Sequence, residues 1–108
     1  IDILIDKDFN IFANNNANGK LTQLIEDEKE RRFEIVHNRL SHVMNNHYPC
    51  IVECLIELSD DNTTIYLHPE RERTDKKSPN TLKVILLTIK NAEEKIDIDE
   101  LDELLKIS

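Results

Sequence analysis

Residues 50–68 constrain this chain more tightly than any other stretch. Cys50, Val52, Cys54, Ile56 and Leu58 alternate with Ile51, Glu53, Leu55 and Glu57, which is the period-two pattern of a strand with one apolar and one mixed face. Ser59-Asp60-Asp61-Asn62 follows, a run of residues that tolerate turn geometry and bond their own backbone. Residues 63–68 then resume the alternation, with Ile65 and Leu67 on one side. The pattern predicts a β-hairpin over 50–58 and 63–68. Cys50 and Cys54 lie four apart on the first strand, placing their α-carbons about 13 Å from each other. That distance is beyond the reach of a disulfide, and two buried thiols point to a reducing, intracellular compartment.

A lone hairpin is not stable, so other elements must cover its apolar face. Residues 81–90 supply a candidate third strand, with Leu82, Val84 and Leu86 on one side and Ile85, Leu87 and Ile89 on the other. Residues 20–45 contain neither Gly nor Pro and are rich in helix formers. Leu21, Leu24 and Ile25, then Phe33, Val36, Leu40, Val43 and Met44, follow helical spacing. Asp27 with Arg31, and Glu28 with Arg32, stand as acid-before-base pairs four apart. The expectation is a long helix with solvated middle turns, or a pair of helices. At the C-terminus, Asp97 as N-cap with Glu100 three residues on resembles a capping box, and Ile96 with Leu101 a hydrophobic staple. A short helix is expected there, lined by Ile98, Leu101, Leu104 and Leu105.

The N-terminal residues 1–13 admit two readings. Ile1, Ile3 and Ile5 alternate as in a strand, with Phe9 and Ile11 in position to continue as a second. Leu4, Ile5, Phe9 and Phe12 also fit a helical stripe. Strand is preferred. Residues 14–19, Asn-rich and ending in the chain's single Gly, read as a loop or linker. The resulting expectation is one α+β domain over residues 1–108, in the order α-β-β-β-α, with a further strand at the N-terminus. That order is similar to the one found in double-stranded-RNA-binding domains, but their function requires a basic second helix.

The charge distribution argues against such a role. Net charge is −8, which repels phosphate backbones and anionic membranes. Residues 93–103 hold seven acids and one Lys, a local charge of −6. No apolar run is long enough to span a bilayer. The start at Ile1, without a leader pattern, reads as that of an excised domain.

Asp6 and Asp8 follow the apolar run Ile3-Leu4-Ile5. This short stretch resembles the first motif of the haloacid dehalogenase phosphatases. The resemblance implies a nucleophilic Asp6 with Asp8 as acid/base, but Phe9-Asn10 replaces the Gly-Thr that follows in that family. His37, His42, His47 and His68 lack the spacing of shared metal ligands; His47 with Cys50 and His68 is the one set that could converge. No Gly-rich phosphate loop or nucleophile elbow is present, so neither a cofactor nor a catalytic residue is expected.

The expected function is a non-enzymatic protein–protein interaction module for a basic or apolar partner, with homo- or hetero-oligomers open. The candidate contacts are acidic residues Glu93, Glu94, Asp99, Asp102 and Glu103. Arg71 and Arg73 stand beside Lys76 and Lys77 in a polar loop over 69–80, where they would meet an acidic or phosphorylated partner. Ile51 and Leu55, with Ile85 and Leu87, lie on the mixed sheet face. The alternative is a small acidic inhibitor, of the immunity-protein kind, that imitates nucleic acid.

Overall fold

The computed structural model describes residues 1–15, 19–40 and 48–107, with side chains for all of these except 39 and 95–107. Six strands form one mixed sheet: β1 (Asp2–Ile5), β2 (Ile11–Asn14), β3 (Leu21–Gln23), β4 (Arg32–Ile35), β5 (Cys50–Leu58) and β6 (Thr64–Glu72). Their spatial order is β3-β2-β1-β5-β6-β4, and every pairing is antiparallel except the parallel one between β4 and β6. Among the described residues a single α-helix, α1 (Leu82–Ile107), completes the fold, together with a 3-10 turn at His37–Arg39. No described helix is long and apolar enough to cross a membrane.

The outermost strands of the sheet meet each other. Leu24 donates its N–H to Ile11 O on β2 (2.8 Å), while the next residue accepts from β4, Phe33 N–H to Ile25 O (3.0 Å). A bridge between Glu26 and Arg32 extends that join. The sheet therefore curls around one core in the manner of a small barrel. Ile3, Ile5, Ile11, Ala13, Leu24, Ile35, Val52, Cys54, Ile65 and Leu67 all fill that core. Within strands these residues alternate with more exposed neighbours, as the pleat requires.

Three chain reversals share one solution. Asp6 Oδ1 accepts the N–H groups of Asp8 and Asn10 (both 2.9 Å), and Phe9 between them has φ 64°. Asp27 Oδ1 accepts from Lys29 (3.1 Å) and Arg31 (2.8 Å), and Glu30 has φ 62°. Ser59 Oγ accepts from Thr63 (3.1 Å), and Asn62 has φ 59°. In each, the N–H of the left-handed residue also donates to the carbonyl three residues back. A side-chain oxygen at the first position thus holds a non-glycine residue in a conformation that L residues disfavour by about 1–2 kcal/mol.

Helix α1 is preceded by Thr81, whose Oγ1 accepts the Val84 N–H (3.3 Å), the bond of an N-cap. Asn80 ties this start to the sheet. Its side chain accepts the Asp2 N–H (2.7 Å), its N–H donates to Asp2 O (2.8 Å), and its carbonyl accepts from Asn14 N–H (2.9 Å). Ile85 and Ile89 are buried in the core, with Leu82 and Leu86 packed against it.

The hairpin over 50–68 is present as β5 and β6, and both cysteines are buried and free. The order α-β-β-β-α is overturned. Residues 20–36 form β3, a turn and β4 rather than part of a long helix, and a 3-10 turn follows at His37–Arg39; the end of that expected helix, 41–45, lies outside the described residues. A helix charged on every face through 26–32 would bury nothing there, whereas strand geometry sends Leu24 and Ile35 into the core. The Asp27–Arg31 pair does form, but it closes a turn. Residues 82–90 are helical, not a strand, because Leu82, Ile85, Leu86 and Ile89 make one stripe at helical spacing. The C-terminal helix starts at Leu82, fifteen residues before Asp97, so Asp97 lies within α1 and not at its N-terminus. The similarity to double-stranded-RNA-binding domains ends with that topology. Finally, the expected 69–80 loop is shorter, since β6 runs through Pro69 to Glu72. Pro69 lies opposite Cys54 at a register shift, where an irregular ladder accommodates a residue without an N–H.

Candidate functional site

The outer side of α1 leaves aliphatic side chains exposed, as Leu21, Ile25 and Leu55 are elsewhere on the described surface. A helix advances about 100° per residue, so Leu82, Ile85, Leu86, Ile89 and Glu93 share the side that meets the sheet. Val84, Leu87, Asn91 and Glu94 fall on the other. Val84 is 44% and Leu87 49% exposed, and Asn91 and Glu94 are exposed beside them. Along the flank of the helix runs an open groove of about 510 Å³, floored by Leu82, Leu86 and Leu87 and rimmed by Lys83, Lys90 and Glu28. The floor of this groove is apolar and its rim carries charges of both signs.

The inner side of the same helix carries an ion-pair network. Arg31 is only 3% exposed. Its Nε donates to Asp27 Oδ2 (2.9 Å), its Nη2 lies 2.7 Å from the same oxygen, and its Nη1 donates to Asn62 Oδ1 (2.9 Å). Nη1 also touches Glu93, which accepts from Lys29 Nζ as well (3.0 Å). Burial raises the pKa of Asp27, but the side-chain and backbone hydrogen bonds from Arg31 outweigh it and hold the carboxyl below its usual range. Lys29, ahead of Arg31, does the same for Glu93 against the opposing effect of burial.

The candidate contacts read from the sequence are scattered by the fold. Glu93 faces inward into this network, while Glu94 is exposed. Asp99, Asp102 and Glu103 lie on α1 beyond the described side chains. Arg71 is on β6, not in a loop, and its Nε lies 2.5 Å from Glu53 Oε2. Arg73 grips Asp75 through two parallel bonds of 3.0 Å and approaches Asp2 (3.5 Å). Arg73 holds the Asp75 carboxyl at about 2. Lys76 Nζ lies 2.6 Å from the buried Asp2 carboxylate. These cations neutralise the protein's own acids.

The mixed sheet face does not exist as one surface. Ile51 is buried, and Arg73 N–H donates to its carbonyl (2.7 Å). Leu55 is 60% exposed on β5, whereas Ile85 and Leu87 belong to α1, the first buried and the second outward. Sequence reasoning missed Val84, Lys83 and Lys90 as site residues. The signal for them was the 3.6-residue stripe of 82–89, which leaves Val84 on the opposite side and Lys83 and Lys90 on the flank.

The remaining chemical candidates have architectural surroundings. Both Asp6 oxygens are held by its own turn, Oδ2 accepting from Asn10 Nδ2 (3.2 Å). Burial pushes the Cys50 thiol up to about 11, with Glu72 adding to it, and burial pushes Cys54 up to about 12. Neither is a thiolate near neutral pH. Among the described residues no three His, Cys, Asp or Glu side chains converge as metal ligands, and His47 lies outside them. Phe9, 5.1 Å from the His37 ring and 6.1 Å from Tyr48, forms a small aromatic cluster at the other end of the sheet. No protein-family model, curated protein or solved structure matches this chain.

Proposed function

We propose that this domain is a non-enzymatic protein–protein interaction module whose binding element is the outer face of α1. One observation carries the reading. Val84 and Leu87 stand exposed on a helix whose opposite face is already packed, beside an apolar groove bordered by Lys83 and Lys90. Exposed aliphatic side chains that no intramolecular contact requires are favourable to bury against a partner, at about 25 cal/mol per Å². The commitment of Asp6 to its turn and the raised thiol pKa values accord with a role in binding rather than chemistry.

The test compares the immobilised full chain with its Leu87→Glu variant in quantitative capture from a lysate of the source cells. Proteins retained by the wild type and lost with the variant are expected. Identical sets on both would refute the assignment of this face. The second reading, an acidic inhibitor, draws on the −6 charge of residues 93–103. It predicts capture that falls steeply with salt yet is indifferent to Leu87→Glu.

A further inference from the structure

We infer that the partner of the outer face of α1 is a second copy of the same helix, paired antiparallel. This inference rests on the interaction reading above and specifies its partner. Val84, Leu87, Asn91 and Glu94 follow the alternating three-and-four spacing of a coiled-coil seam, and all four are exposed. In sequence the same heptad continues with Ile98, Leu101 and Leu105, on a helix whose backbone extends to Ile107. The 26 residues of α1 make a rod of about 39 Å at 1.5 Å per residue. Glu93 meets the sheet less than halfway along it. The radius of gyration, 15.4 Å, exceeds the roughly 13 Å of a compact chain of this length.

Charge selects the partner and its direction. Residues 82–92 carry two lysines and no acid, whereas residues 93–103 carry a net −6. Antiparallel pairing lays the acidic half of one helix along the half of the other that carries Lys83 and Lys90. In the register that sets Leu105 opposite Leu87 and Ile98 opposite Glu94, the flanking positions bring Lys90 beside Asp97 and Lys95 beside Asp102. A parallel pair would instead stack Glu94 on Glu94, Lys90 beside Lys95 and Asp97 beside Asp102. Polar residues at the centre of the seam, Asn91 and Glu94, weaken such a pair while restricting its register.

Sedimentation velocity of the purified full chain, at about 50 mM and 500 mM salt, tests this inference. The expected result is a reversible dimer that weakens as salt rises and is lost with Leu87→Glu at an unchanged circular-dichroism spectrum. Lys90→Glu is expected to weaken it about tenfold, by turning two symmetric attractions into repulsions, and Lys90→Glu with Asp97→Lys to restore it. Tightening by Lys90→Glu would overturn the antiparallel direction, since only a parallel pair is relieved by removing that lysine. A monomer at every concentration would overturn self-pairing, and so would a dimer indifferent to Leu87→Glu. Leu87-dependent capture of another protein by a monomeric chain would separate the failure of this inference from that of the interaction reading.

Discussion

Arg31→Ala is the sharpest test of how α1 is held to the sheet. The substitution removes the cation from a site where Arg31 is 3% and Asp27 1% exposed at the side chain. It leaves Asp27, Asn62 Oδ1 and Glu93 without that donor. Breaking a buried pair by deleting one partner costs about 3–5 kcal/mol, because the remaining charge stays desolvated. Asp27 keeps two backbone N–H donors in its turn, from Lys29 and from residue 31, so the lower end, about 3 kcal/mol, is expected. For a domain near 100 residues that lowers Tm by roughly 12–24 °C. Urea denaturation followed by far-UV circular dichroism gives the free energy directly. Arg31→Met with Asp27→Leu, which removes both charges, should recover part of the loss. A single-variant loss under about 1 kcal/mol, within the range of an exposed pair, would refute the claim that this network is a buried anchor.

Four further outcomes follow from the same structure. Glu30→Gly should stabilise the fold by about 1 kcal/mol by relieving a positive φ, measured by the same denaturation, while Glu28→Gly should not. Ile85→Ala should cost about 2–5 kcal/mol as a core truncation, whereas Leu87→Ala on the outer face should stay within about 0.5 kcal/mol in the monomer. Cys50 and Cys54 should resist alkylation at neutral pH until the chain is unfolded, as followed by mass spectrometry across a urea series. Asp27 and Glu93 have folded-state pKa values below their unfolded values of 3.8 and 4.5. Their contribution is therefore complete above about pH 5 and lost as pH falls through the lower folded values. Melts between pH 7 and pH 2 should show that acid loss diminished in Arg31→Ala.

The sequence made β5 and β6 legible because their alternation is strict and a turn cluster separates them. The strands β1 and β2 were readable too, from the alternation of Ile1, Ile3 and Ile5 and from Phe9 and Ile11, but the reversal at Asp27–Arg31 was hidden for a specific reason. With one Gly in the chain, the left-handed turn positions fall to Phe9, Glu30 and Asn62, and two of those residue types carry no turn signal. The compensating clue was an Asp or Ser three residues earlier, in Asp6, Asp27 and Ser59. Asp27 with Arg31 was open to two meanings, since a pair four apart joins both on a helix and across this turn. Residues 82–89 were ambiguous in the opposite sense, apolar on both faces at either period. Length decides for helix only once the run is followed past Lys90. Of the candidate contacts, Leu87 stood in the sequence as an exposed apolar residue for the wrong geometric reason. Arg71, Arg73 and Lys76 could not be recognised as paired, because Glu53 and Asp2 approach them only through the register of the sheet.

The join between β3 and β4 has a consequence for how this protein meets others. An open sheet presents rows of unpaired N–H and C=O groups at its margins, and any extended chain can add to them. Here the outermost strands have three and four residues and are bonded to each other where Glu26 approaches Arg32. Strand addition, which needs only backbone and tolerates almost any sequence, has little to grip. Any association would instead rest on side chains, and so could be changed one residue at a time.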